Sequence, residues 1–176
     1  QSASPDAPLE AGFANFKLST LTGFVQPDST LADGNINGKL TLIEIASAPV
    51  FTGDLTIGDF RVRNDTVGNV HLMVNNKVSN TYHADITIEG RGNDVRLAGD
   101  YFPTNNKNNF DFVLDIRQMT LATAQAFSAG SIKDASGSVN GKFTVNGTMK
   151  DPSIRGALNF NKATFIVTDF NTYLSV

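Results

Sequence analysis

The sequence contains no cysteine, no tryptophan and only two histidines. Without cysteine there are no disulfides, no thiolate metal sites and no thiol nucleophile. This fits an oxidising compartment, where stray thiols are avoided, and equally a cytosolic chain. A nucleophile triad needs Ser, His and a carboxylate to converge. Only His71 and His83 could serve, His83 sits on the polar side of an alternating run, and no Gly-x-Ser-x-Gly elbow occurs. An exposed strand histidine is the simpler reading. Charge is also scarce: charged residues make up 18% and the formal net charge is −3. That predicts no phosphate-binding surface for nucleic acid, and no basic block suggests an anionic-lipid patch. No run approaches the roughly 18 to 20 apolar residues of a membrane span. Residues 1–8 are polar and lack the charged and apolar regions of a signal peptide. The chain stops at Tyr173-Leu174-Ser175-Val176, inside an alternating run, so both ends are expected to be cuts from a longer protein.

What the sequence does have is alternation. Apolar residues make up 40%, enough for a folded chain of this length to bury a sizeable core. Ala84, Ile86 and Ile88 alternate with His83, Asp85, Thr87 and Glu89. Val95, Leu97, Gly99 and Tyr101 alternate with Asp94, Arg96, Ala98 and Asp100. Phe110, Phe112, Leu114 and Ile116 do the same, as do Val139, Phe143, Val145 and Met149. A period of two means strands with one apolar face. Turn-forming clusters separate them: Asn75-Asn76-Lys77, residues 90–94, residues 103–109 and Lys150-Asp151-Pro152. About ten strands and an all-β fold are expected. Only residues 121–127, closed by Gly130, and more weakly residues 18–24 suggest a short helix, and either would depend on packing.

Those two places are related. A shift of 103 residues brings the sequence onto itself without a gap. Leu18, Thr20 and Phe24 fall on Leu121, Thr123 and Phe127. Gly34, Asn37, Gly38 and Lys39 fall on Gly137, Asn140, Gly141 and Lys142, and Pro49, Gly53 and Leu55 on Pro152, Gly156 and Leu158. Alternation alone would not align Gly and Pro as well. The chain reads as a first unit over about residues 10–112 and most of a second over 113–176, in one continuous β structure. Such units stack on their neighbours.

Motifs tested for chemistry give little. Gly34-Asn35-Ile36-Asn37-Gly38-Lys39 and Gly137-Ser138-Val139-Asn140-Gly141-Lys142 are one residue short of a phosphate loop. Leu40 and Phe143 stand where the hydroxyl should be, so the glycines are expected to serve a bend or a close strand approach. Asp33, Asp54, Asp59, Asp134 and Asp151 are read mostly as turn residues, and no Ca²⁺ loop spacing occurs. Asp111 and Asp115 share a strand face about 13 Å apart, beyond the usual glycosidase separations. No catalytic residue, metal site or cofactor is therefore assigned. The aromatics are 13 Phe and 3 Tyr. Phe without a polar handle, placed at alternating strand positions, means a dry surface.

The order of these motifs resembles a known family. A short Leu-rich turn (121–127) is followed by Gly-x-x-x-Gly-Lys-aliphatic (137–145), then Asp151-Pro152, then Ile154-Arg155-Gly156-Ala157-Leu158, then a closing strand (163–167). This resembles the repeated pattern of the TamB-like proteins of the AsmA-like group, the C-terminal translocation and assembly module region. Residues 90–116, with Gly99-Asp100-Tyr101, are similar to the family's linking strands. The first copy departs, with Ala48-Pro49 in place of Asp-Pro. The resemblance implies an elongated, incompletely closed antiparallel β structure, trough or solenoid-like, with an apolar interior. It implies a periplasmic segment of a protein anchored in the inner membrane. The roles implied are phospholipid transport to the outer membrane and, with an Omp85-type barrel partner, outer-membrane protein assembly. On that expectation Leu40, Leu42, Leu55, Ile57, Phe112, Leu114, Phe143, Val145, Leu158 and Phe160 line a groove for acyl chains. A sandwich core would use the same alternation, and a structural or adhesive repeat of a surface protein is the alternative. Open sheet edges would also favour self-association.

Overall fold

The computed structural model describes residues 7–20, 32–43, 49–63, 65–105, 108–148 and 150–176. The described residues form one ten-stranded sheet in which every strand pairs with its sequence neighbour. The strands are β1 (Leu9–Lys17), β2 (Ala32–Ile43), β3 (Val50–Val62), β4 (Asp65–Asn75), β5 (Tyr82–Gly90), β6 (Asn93–Tyr101), β7 (Phe110–Thr120), β8 (Ile132–Gly147), β9 (Pro152–Val167) and β10 (Thr172–Ser175). All pairings are antiparallel. The sheet is not closed into a barrel. The all-β expectation therefore holds in its trough form, since a meander of hairpins has none of the parallel coils of a solenoid. One helix, α1 (Leu121–Phe127), joins β7 to β8. Of the weaker helical expectation at 18–24, residues 18–20 are helical and residues 21–24 lie outside the described residues.

The connections follow from local chemistry. Arg91 (φ 54) and Gly92 (φ 82) form the two-residue link between β5 and β6. Positive φ at both positions matches the twist of the flanking strands. Helix α1 is capped by the Thr120 hydroxyl, which accepts from the Thr123 N–H at 3.2 Å. It ends where Ala129 (φ 55) and Gly130 (φ 95) turn left-handed. In the β8–β9 link, Thr148 and Asp151 exchange backbone hydrogen bonds at 3.2 and 3.1 Å. Met149, the last member of the β8 alternation, lies outside the described residues, as do Asn106, Lys107 and Ala48.

The internal repeat is written into the register. Phe13 pairs with Gly38 and Phe16 with Ile36, with a bulge between. After the 103-residue shift the same statement reads Ile116 with Gly141 and Met119 with Val139, again with a bulge between. Asp33 with Arg61 and Asn35 with Gly58 become Ser136 with Thr164 and Ser138 with Asn161. Even the strained residue recurs: Asp59 has φ 50 and Lys162 φ 49. The copies part at the end, where β9 turns through a 3₁₀ turn (Thr168–Phe170) into the short β10.

The bulges fall along one line across the sheet, with the extra residues in β1, β3, β4, β7, β8 and β9. Bulges bend strands and increase their twist. Beyond this line α1 packs against β8, β7 and β4. On a flat sheet β4 and β8 would be about 19 Å apart, whereas a seven-residue helix is only about 10 Å long. The bulged end of the sheet curls around the helix. The compact core sits there: Val95, Ile116, Leu121, Val139 and Ala163, with Ile88, Leu114, Met119, Phe143 and Phe165 packed on it.

Candidate functional site

Side chains alternate across a strand, so the register sorts them into two faces. One face is apolar in every row away from the bulged end. Phe16, Ile36, Ile57, Val70, Ile88, Val95, Ile116, Gly141 and Leu158 form one row from β1 to β9. The next is Phe13, Gly38, Leu55, Leu72, Ile86, Leu97, Leu114, Phe143 and Gly156. A third is Ala11, Leu40, Gly53, Val74, Ala84, Gly99, Phe112, Val145 and Ile154. Leu42 pairs with Phe51 in a further row, and Met119, Val139 and Phe160 lie under the helix end.

All ten residues named from the sequence stand on this one face. Leu158 and Ile57 share the first row; Leu55, Leu114 and Phe143 the second; Leu40, Phe112 and Val145 the third. Leu42 and Phe160 flank them at opposite ends. Among the described residues no second sheet covers them, so they do not fill a sandwich core. The sequence list left out the lining from β4, β5 and β6, including Leu72, Val74, Ile86 and Leu97. The alternation already visible in β5 and β6 could have supplied most of it.

Glycine shapes this face. At Gly53 an added Cβ would meet Leu40 Cδ2 at 2.5 Å and Val74 Cγ2 at 2.9 Å. At Gly38 and Gly141 it would meet the Asp54 and Ala157 carbonyls of the neighbouring strand. The phosphate-loop-like glycines thus serve close strand approach, as expected. At the end far from α1, Phe51, Tyr82 and Tyr101 make a run of ring contacts with centroids 5.8 and 6.1 Å apart.

The other face is polar. Asn37, Thr56, His71, Thr87, Arg96, Asp115 and Lys142 form one row. Cross-strand pairs lace it: Lys39 Nζ donates to Glu10 at 2.6 Å and Arg96 Nε to Asp85 at 2.9 Å. His71 pairs with Asp54 at 2.7 Å and His83 with Asp100 at 2.8 Å. The hydrogen bond from Arg96 holds the Asp85 carboxyl below its ordinary range, with the guanidinium charge acting the same way. The Gly34 N–H does so for Asp33, helped by Ser19 and Lys17. His83 is on the polar face, as read. Asp111 and Asp115 share that face, as read, and Asp111 stands opposite Asp100. Asp54 is a mid-strand residue opposite Lys39, not a turn residue. Asp59 and Asp134 sit at bulges with φ 50 and 53. Among the described residues no three His, Asp or Glu side chains gather as metal ligands, and no helix is long and apolar enough to cross a membrane.

No family profile matches the chain, and no curated protein or solved structure matches it either.

Proposed function

We propose that this chain is a lipid-handling segment of a bacterial envelope protein, whose apolar sheet face holds phospholipid acyl chains. The observation that carries this reading is an apolar face that no second sheet covers among the described residues. Its first row is largely closed at the curled end, where Ile36, Val70, Val95 and Ile116 are buried. The second and third rows stay half-buried, Leu55, Leu72, Ile86, Leu97, Val74 and Phe112 among them, and Leu158 and Phe160 are exposed; an apolar surface of this kind is often functional. An acyl chain laid on it gains about 0.8 kcal/mol per buried methylene, without needing polar contacts. The ring run at Phe51, Tyr82 and Tyr101 gives one end the amphipathic edge that suits a headgroup boundary.

The order of motifs, similar to that of the TamB-like proteins, supplies the setting: a periplasmic segment of an inner-membrane-anchored protein that passes phospholipid toward the outer membrane. An Omp85-type barrel partner and a role in outer-membrane protein assembly belong to the same proposal. The test is mass spectrometry of an organic extract from chain purified without detergent. Phospholipid above the level of a matched control protein is the expected result. A clean extract from folded, monodisperse chain would overturn the proposal.

A further inference from the structure

At its end far from α1, β4 passes through residues 76–81 into β5. This turn lies in the middle of the sheet, between β3 and β6. At its level a fourth row of the apolar face is aromatic. Phe51, Tyr82, Tyr101 and Phe110 follow one another from β3 to β7, with Asn76 in the place of β4. In the three rows below it no side chain carries a polar atom. The Tyr82 and Tyr101 hydroxyls are therefore where this face first becomes amphipathic.

Beside Tyr82 the turn encloses a cavity of about 370 Å³, lined by Asn76, Lys77, Ser79, Asn80, Thr81 and Tyr82 among others. Its walls are held in place. The Asn76 amide donates to the Pro49 carbonyl at 2.9 Å, and its oxygen accepts the Phe51 N–H at 2.7 Å, which fastens the turn to β3. The Thr81 N–H donates to the Val78 carbonyl at 3.1 Å, across Asn80 at φ 54. Lys77 is the one charged side chain in the lining. Among the described residues no carboxylate pairs with its ammonium. The cavities around Asn37, Asn140 and Thr120 differ, because each includes a carboxylate: Glu89, Asp115 and Asp65. An unpaired lysine among hydroxyl and amide donors suits a phosphate, and its place beside the apolar face suits a phosphate attached to hydrocarbon.

We propose that this cavity seats the phosphate headgroup of a phospholipid whose acyl chains lie on the apolar face. This placement rests on the lipid-handling reading and adds to it where the headgroup sits and which way the chains run. From Tyr82 to Ile88 along β5 is about 20 Å, and Ile88 packs on the cluster beside α1. Chains that start at the aromatic row run from there toward the helix, over the half-buried Ala84 and Ile86.

Lys77 is exposed, so replacing it leaves the fold intact. The test titrates the parent chain, Lys77→Glu and Lys77→Arg with two ligands that carry the same short acyl groups, followed by amide chemical shifts. One is dihexanoyl phosphatidylglycerol below its micellar concentration, and the other is dihexanoylglycerol, which has no phosphate. The parent should prefer the phospholipid, and this preference should narrow as salt screens the lysine. K77E should bind the phospholipid about tenfold more weakly, the effect of losing one hydrogen bond to a charged group. Its affinity for dihexanoylglycerol should be unchanged, and K77R should keep most of the preference. A K77E that binds the phospholipid as well as the parent does, or that loses both ligands equally, would overturn the headgroup site and leave the acyl-chain reading standing. A parent that binds neither ligand would overturn both. Inorganic phosphate that shifts residues 76–82 with the affinity of the phospholipid would make the cavity a free-anion site and also overturn the proposal.

Discussion

Asn93 opens β6 directly after the Arg91-Gly92 turn, and it is only 5% exposed. Its amide donates to the Val67 carbonyl at 2.7 Å and to the Thr123 hydroxyl at 2.9 Å, and its oxygen accepts the Thr120 N–H at 3.0 Å. One side chain thus ties β4 to the start of α1. Asn93→Ala would leave the Val67 carbonyl and the Thr120 N–H without these partners. The expected cost is about 1–3 kcal/mol, read by denaturant unfolding, with Asn93→Asp costing more because it sets a carboxylate against that carbonyl. Asp85 makes a pH prediction. Its folded pKa is depressed, first by the Arg96 hydrogen bond. The folded chain therefore holds the proton less tightly than the unfolded chain does. The pair's contribution is complete above the unfolded value of about 3.9 and is lost as pH falls through the folded pKa. Arg96 is half-exposed, so solvent screens the pair and its contribution at neutral pH is small. Asp85→Asn should remove that contribution at pH 7 and flatten the loss of stability below pH 4, measured as the unfolding midpoint across pH.

The strands were legible because nothing obscures their period. In β5, β6, β7 and β8 each described apolar residue read from alternation lies on the same face. The repeat was legible for a different reason: glycine and proline mark backbone geometry, so Gly34, Gly38 and Gly53 find Gly137, Gly141 and Gly156 at matching register positions. Bulges were not legible. They are carried by ordinary residues such as Asp59 and Lys162, whose left-handed φ is imposed by the pairing on either side. Nor was Asn93, which reads locally as one more turn residue, because its partners at Val67 and Thr123 are far away in sequence. The groove list stopped short at β4 because Gly68 and Met73 interrupt that strand's pattern, Met73 being an apolar residue on the polar face opposite Asp54 and Asp85. Glycine on the apolar face gives an element-scale prediction. Gly53→Ala places a methyl against Leu40 and Val74, and overpacking of this kind costs about 1–3 kcal/mol. Part of that loss should return when Leu40→Ala is combined with it, because the nearest atom belongs to the Leu40 side chain. A double-mutant cycle in denaturant measures this as a coupling energy, and strict additivity would count against the contact.

A single-layer sheet has no second layer to share its load, so stability should vary across the molecule. The helix packs mainly on β8, β4 and β7, and the buried cluster is drawn from β6 to β9 and α1. Among the described residues, strand β1 and residues 152–162 of β9 have a neighbour on one side only. Chains built this way approximate a sum of units and interfaces and open locally. Amide exchange should be slowest in β6–β8 near α1 and fastest in β1, and uniform protection would argue against a single layer. The same architecture sets the cost of charging the face. Phe143 packs on the buried cluster, so Phe143→Asp should destabilise by several kcal/mol and say little about lipid. Leu158 stands at the open edge, where a charge would disturb pairing as well as any ligand. Leu97 is the informative position: it lies in the middle of the second row, half-buried and away from both the helix and the edges. Water reaches an aspartate there, so Leu97→Asp should cost only about 1–2 kcal/mol. If the face holds acyl chains, the variant should keep its fold and its sedimentation mass while the phospholipid recovered from it falls severalfold. An unchanged lipid yield from folded L97D would place any bound lipid elsewhere than on this face.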